Sequence, residues 1–369
     1  MEYCLSIPKV ELHAHLNGSI RDSTLLELAR ASCEKGIIDF LEEKIIMKTV
    51  ICPAYDLPLH KVFKLFDVIH ILTTDHMTIT RITREVIEDF ASENVVYLEL
   101  RTTPKRNDLV GMSKRSYMEA VIKGLRDISS VDVDFLPDNE PEANLLGSSC
   151  TDDEHCSDTG KRRIYVRLLL SIDRRETTAA ALETVMLALE MRHLGVVGID
   201  LSGNPTVGEW NTFFPALKFA KEQGLYVTLH CGEVPNPEEI DGMLNFGPQR
   251  IGHASFIADE QWVKLLSSEI PVEICFTSNI RTLSVPSIET HHFAELYRAK
   301  HPLIICTDDP TVFSTSLSNE YHIAMSSFGL GEREMFQLSK NAVEFIFASE
   351  EVKEDLRIMF DSAAKALVL

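Results

Sequence analysis

Apolar runs recur along the chain, and stretches of helical spacing separate them. The runs at 8–16, 95–103, 164–172, 196–201, 225–231, 250–254, 272–277 and 303–308 are mostly unbroken Val, Ile and Leu. Runs of this kind, without the alternation of a half-exposed strand, mark parallel strands buried on both faces. The segments 21–33, 59–72, 77–93, 113–130, 177–193, 209–222, 237–244, 259–268 and 292–300 read as helices, with Ser113 placed as an N-cap. Residues 36–55 are mixed and give no clear element, and from 318 to the end the chain reads as helical throughout. Eight strands alternating with helices predict an α/β fold, a (β/α)8 TIM-type barrel with extra helices. A doubly wound open sheet is the alternative. It would usually bring a glycine-rich phosphate loop after an early strand, and none is present.

The rhythm breaks once. Residues 134–162 contain Pro137-Asp138-Asn139-Glu140-Pro141-Glu142 and Asp152-Asp153-Glu154, with few large apolar residues. This predicts a mobile acidic surface insertion in a single domain spanning 1–369. A domain linker is the other reading, but the strand–helix pattern resumes unchanged beyond it.

Composition narrows the function classes. The 369 residues carry 36 Lys and Arg against 56 Asp and Glu, a formal net charge of -20. So acidic a surface argues against a nucleic acid polymer or a membrane surface as partner. It does not exclude an anionic small molecule held by a few local basic groups. No run is long enough to span a membrane, and the first ten residues lack the apolar core of a secretory signal. The eight cysteines form no tight framework and read as thiols of a reducing compartment. Cys150 and Cys156 lack the second pair a metal site would need. A cytosolic monomer is expected.

Barrel strands carry chemistry at their C-terminal ends. Those ends read, in order, His13/His15, Arg101-Thr102-Thr103, Asp173, Ser202-Gly203, His230/Glu233, His253, Thr277-Ser278-Asn279 and Asp308-Asp309. Histidines spaced i, i+2 on a strand share a face. A hydrolytic zinc site wants His and carboxylate ligands with one position open, and His13, His15, His230 and Asp308 answer that need. Zinc lowers the pKa of a water it holds towards about 7. Glu233, three residues past His230, is placed as a proton donor or acceptor. His253 could orient or deprotonate the attacking water. Asp309 would point differently from its neighbour and contact substrate, and Gly203 leaves an amide open to close approach. His60, His76, His155, His193, His291, His292, His301 and His322 lie outside this set and read as surface or packing residues.

The motifs Leu12-His13-Ala14-His15-Leu16-Asn17-Gly18, Ser202-Gly203, His230-Cys231-Gly232-Glu233, Gly252-His253-Ala254, Thr277-Ser278-Asn279 and Thr307-Asp308-Asp309-Pro310 resemble, in order and spacing, the adenosine/AMP deaminase superfamily. The likeness covers almost the whole chain apart from 134–162 and is nearest to the adenosine deaminase-like branch acting on N6-methyl-AMP. It implies a metal-dependent hydrolase barrel with one Zn2+ per subunit, held by His13, His15, His230 and Asp308. It further implies that Glu233 protonates purine N1, that His253 assists the water, that Asp309 meets the ring near N7, and that the Gly203 amide meets N3. The reaction implied is hydrolytic deamination at C6, with N6-methyl-AMP going to IMP and methylamine. The alternative is a nucleoside deaminase turning adenosine into inosine and ammonia.

Asn17 bears on that choice. Adenosine deaminases proper usually carry Asp there, against the ribose 5′-hydroxyl. A carboxylate would repel a 5′-phosphate, whereas an amide can donate to it. The expected small-molecule partner is therefore a purine nucleoside 5′-monophosphate. Arg101, with Thr102, Thr103 and Pro104 at the mouth of the second strand, is expected to read the phosphate. The resemblance places His70 near it, and Asp173 would suit a ribose hydroxyl.

Overall fold

A computed structural model describes residues 1–51, 58–136 and 161–367. Nine strands form one all-parallel sheet: β1 Lys9–His15, β2 Val95–Thr102, β3 Asp132–Asp134, β4 Arg163–Asp173, β5 Val196–Ser202, β6 Tyr226–Cys231, β7 Arg250–His253, β8 Val272–Ile274 and β9 Leu303–Ile305. Eight run in the order β1-β2-β4-β5-β6-β7-β8-β9, and β3 pairs only with β4, off this path. The last turn of the sheet returns to the first strand. Asp308 bridges Ala14, its N–H donating to His13 O at 2.7 Å while its carbonyl accepts from His15 N at 3.1 Å. The expected eight-stranded TIM-type barrel is thereby present.

Both faces of the strands are covered, as the unbroken apolar runs require. Every residue of β2 is buried, as are β4 residues 164–172. The helix Lys114–Arg126 starts at the predicted cap, where Ser113 Oγ accepts from Ser116 N and Ser116 Oγ accepts from Ser113 N.

Several boundaries differ from the sequence reading. β8 ends at Ile274 and not 277, because the chain turns at Cys275 into a helix, Phe276–Arg281. The region 36–55 contains a helix, Phe40–Ile51, and a further helix, Glu2–Ser6, precedes β1. The tail is broken into helices Leu317–Phe328, Glu332–Asn341 and Glu350–Leu367. Gly329, at φ +67, ends the first of them. Most of the expected insertion, 137–160, lies outside the described residues, together with Cys52, Cys150, Cys156 and His155. Among the described residues no helix is long and apolar enough to cross a membrane.

The barrel interior is not an apolar stack. Arg101 and Arg250, both fully buried, sit among Glu99, Asp200 and Glu273. Arg101 donates to Asp200 at 3.2 Å, Glu273 at 3.0 Å and Leu12 O at 2.6 Å. Arg250 donates to Glu273 at 2.7 Å and also to Glu99. Such charges are tolerable inside only because each is matched.

Candidate active site

The C-terminal ends of the strands open into a cavity with about 1160 Å³ of empty space including its mouth, ample for a ligand of nucleotide size. At its floor lie the two β1 histidines, on one face as their spacing predicts. His13 Nε2 and His15 Nε2 are each 3.1 Å from His230 Nε2. Asp308 Oδ1 is 3.3 Å from His13 Nε2 and 3.4 Å from His15 Nε2.

The outer nitrogens explain what these four groups are for. His13 Nδ1 lies 2.6 Å from Glu273 Oε2, and His230 Nδ1 lies 3.0 Å from Asp200 Oδ1. A carboxylate only accepts, so in a neutral imidazole the proton sits on Nδ1 and Nε2 carries a lone pair. Two lone pairs and a carboxylate oxygen then face one point, an arrangement that repels itself without a cation. Burial holds His15 well below the usual histidine range and keeps it neutral, whereas at His230 burial is outweighed by Asp200, which lifts that ring to about 9 and puts a proton where a cation would sit. A tetrahedral ion with bonds of about 2.0–2.1 Å sets its ligands roughly 3.3 Å apart. The spacings of His230 and of Asp308 to each β1 histidine match, so His13, His15, His230 and Asp308 fit a metal of zinc's size, although the four donors that all lie within 4.8 Å of one another are those of His13, His230, His253 and Asp308.

Local structure fixes these donors. Asp308 adopts φ +67, costly for a residue with a Cβ, and is tied down by its two backbone bonds to β1. Its second oxygen accepts from Ser278 Oγ at 2.7 Å. A Cβ on Gly252 would stand 2.7 Å from His13 Cε1, so only glycine lets that ring lie against β7. Around the floor stand three more titratable groups. Burial pushes the Glu233 carboxyl up to about 7. Burial and the neighbouring Asp308 hold Asp309 well above the usual carboxylate range, and its Oδ1 is buried without a partner. Burial keeps His253 well below the histidine range, with Nε2 3.8 Å from Glu233 Oε1.

The profile of the adenosine deaminase family matches residues 8–133 and 146–363. The chain belongs to the adenosine deaminase family. It is 63% identical over 366 residues to the N6-mAMP deaminase of Arabidopsis thaliana, covering 99% of each chain. To the N6-methyl-AMP deaminase of Homo sapiens it is 36% identical over 366 residues, covering 96% of this chain and 93% of the human one. A crystal structure of Arabidopsis ADAL complexed with IMP superposes with a TM-score of 0.89 at 62% identity, covering 99% of each chain. Membership makes this chain a hydrolase acting on a purine C–N bond.

The family cavity gathers most of the residues expected from the sequence. His15, Asn17, His70, Thr102, Thr103, Asp173, Gly203, His230, Glu233, His253, Asp308 and Asp309 all line it. Asn17 Nδ2 is 3.4 Å from His70 Nδ1. Thr102 is already engaged, its hydroxyl 2.7 Å from Tyr117 Oη. Two expectations need correction. Arg101 is among the lining residues, but it is fully buried and its guanidinium is held by Asp200 and Glu273 in the charge network of the barrel, not free at the mouth to read a phosphate. Pro104 is buried and does not line the cavity.

Three residues were missed. Asp200 and Glu273 orient two of the floor histidines, and their signal was a lone acid inside an apolar strand. Arg175, two residues past Asp173, is the cation at the cavity's mouth, and it donates to both oxygens of Asp173 and to Asp67. His291 and His292, read as surface or packing residues, are enclosed behind His253.

Proposed function

We propose that this chain is a zinc-dependent aminohydrolase that converts N6-methyl-AMP and water to IMP and methylamine. The observation that carries the reading is the convergence of His13, His15, His230 and Asp308 at the floor, with the Glu233 carboxyl, pushed up to about 7 by burial, in the same cavity. Zinc held there supplies Lewis acidity. The protein groups supply the rest. Glu233, with its proton retained near neutrality, gives it to purine N1 as oxygen adds at C6. Asp309 stays protonated and can donate to N7, which only accepts. Gly203 offers its amide to N3. One proton of the water is carried to the exocyclic nitrogen, the C6–N bond breaks and methylamine leaves, and the proton of the C6 hydroxyl returns to Glu233 as the carbonyl of IMP forms.

The phosphate end rests on charge. Asn17 brings an amide where an acid would repel the ligand. Lys105, which donates to Thr73 Oγ1 at 2.8 Å, and Arg175 lie close enough to His70 to add to the burial that keeps it neutral. Burial pulls Lys105 down to about 7, so an arriving phosphate would restore its charge and make one positive corner of Lys105 and Arg175 beside Asn17, with Asp173 towards the ribose. The likeness to the Arabidopsis and human enzymes supports the N6-methyl monophosphate as substrate, and the IMP complex supports the product.

The deciding experiment offers N6-methyl-AMP, AMP, N6-methyladenosine and adenosine side by side to zinc-loaded protein. Turnover confined to N6-methyl-AMP is expected, lost on chelation and restored by zinc. Turnover of adenosine alone would overturn the phosphate reading. Full activity after exhaustive removal of metal would overturn the zinc assignment.

A further inference from the structure

Behind His253 runs a chain of hydrogen bonds whose direction is set at its far end. The backbone N–H of Phe293 lies 3.1 Å from His291 Nδ1. A backbone amide only donates, so His291 Nδ1 accepts. Burial, with His292 and His253 adding to it, keeps His291 neutral, and its one proton therefore sits on Nε2. That N–H donates to Asn279 Oδ1 at 3.2 Å. The amide of Asn279 is thus oriented, and its Nδ2, a donor without a lone pair, faces His253 Nδ1 at 3.1 Å. His253 Nδ1 must accept, which leaves the proton of that ring on Nε2. This Nε2 is buried in the cavity without a partner among the described residues. The next histidine holds the backbone. His292 Nε2 donates to the His253 carbonyl at 2.7 Å, where φ of +65 needs outside support.

We propose that His291 and Asn279 are positioning residues that lock His253 as its Nε2–H tautomer, so that it donates a hydrogen bond to the attacking water and is not its base. A ring nitrogen that carries a proton has no lone pair to offer. His253 therefore neither ligates the metal beside His13, His230 and Asp308, although its ligand atom lies within 4.8 Å of theirs, nor takes the proton of the water. That proton passes to a carboxylate, with Asp308 in the same cluster. The catalytic role rests on the hydrolytic reading above, whereas the tautomer does not.

The test is a two-bond 1H–15N correlation spectrum of zinc-loaded protein labelled at histidine nitrogen, which separates the two tautomers. The His253 signals are identified by their loss in His253→Gln. The wild type is expected to show Nε2–H at His253. Asn279→Asp replaces the amide donor with an acceptor, so the His253 proton is expected to move to Nδ1. In that variant kcat falls on the order of 10²-fold, while KM and zinc content hold. His291→Phe frees the amide to turn, and both tautomers are expected, with a smaller loss of kcat. If Asn279→Asp does not fold, the wild-type spectrum and His291→Phe decide. Nδ1–H in the wild type, or unchanged Nε2–H in every folded variant, would overturn the proposal. Nε2–H in a protein that turns over no purine would sink the hydrolytic reading and leave the relay standing.

Discussion

In the reaction proposed above, a single proton on Glu233 sets the rate. Its carboxyl, raised to about 7 by burial, is protonated below that pH and can deliver to N1. Above it the proton is gone before substrate arrives. The sign follows directly: kcat/KM is expected to fall as pH rises through about 7. Glu233→Gln keeps the shape but has no proton to give. It is expected to fold, retain zinc, lose roughly 10³-fold in kcat and show no alkaline fall, read from a kcat/KM–pH profile. A rate near that of the wild type would remove Glu233 from the chemistry. Asn17 acts by charge instead. Asn17→Asp puts a carboxylate in the corner to which the proposed reading assigns the phosphate. It is expected to shift the kcat/KM ratio of N6-methyl-AMP to N6-methyladenosine by roughly 10- to 100-fold against the nucleotide. An equal effect on both substrates would mean that residue 17 does not face the phosphate.

Strands β7 and β8 show how much was legible. Polar residues that stop apolar runs announced His230, His253 and Asp308, because titratable groups recur at one strand end after another and a barrel brings those ends together. The same logic failed inside the runs. Period two says which residues share a face but not what waits across the barrel, so Asp200 and Glu273 went unread and Arg101 was aimed the wrong way. β8 was drawn three residues long in excess because Cys275 and Phe276 continue its apolar run while the backbone already turns helical. The helix Phe40–Ile51 hid because its apolar residues do not segregate, with Phe40 and Leu41 both exposed. His291 lies in a connection with no periodicity to interpret, and His292 starts the expected helix, as the N-cap of Phe293–Arg298, where helical spacing says nothing of a contact with His253. The packing of β7 against β1 carries its own test. In Gly252→Ala the new methyl meets His13 at Cε1 and Nδ1, the edge that Glu273 already holds at 2.6 Å, so the ring cannot easily yield. A loss of about 1–3 kcal/mol is expected by denaturation, with zinc binding weakened as well. Glu273→Gln, which removes only the charge behind His13, is expected to weaken zinc by about 10- to 100-fold, measured by competition with a chromogenic chelator.

The whole barrel is tied together by charge as much as by apolar packing. Arg101 reaches from β2 to the acids of β5 and β8, and those two acids in turn hold His230 and His13. Fold stability and metal affinity therefore share one network. Arg175 sits at the opposite extreme, on the rim and half exposed. The two arginines make opposite predictions. Arg101→Met leaves Asp200 and Glu273 buried and short of a cation. It is expected to cost about 3–5 kcal/mol in denaturation, to weaken zinc, and to lower turnover of nucleotide and nucleoside alike. Arg175→Ala takes the cation from Asp67, which is exposed, and from Asp173, which is 14% exposed at the cavity, so stability is expected to fall by no more than about 1 kcal/mol, while use of the monophosphate falls selectively. Measuring both variants on both substrates separates the roles. A selective nucleotide defect in a stable Arg101→Met protein would return Arg101 to the phosphate, against the direction in which its guanidinium points.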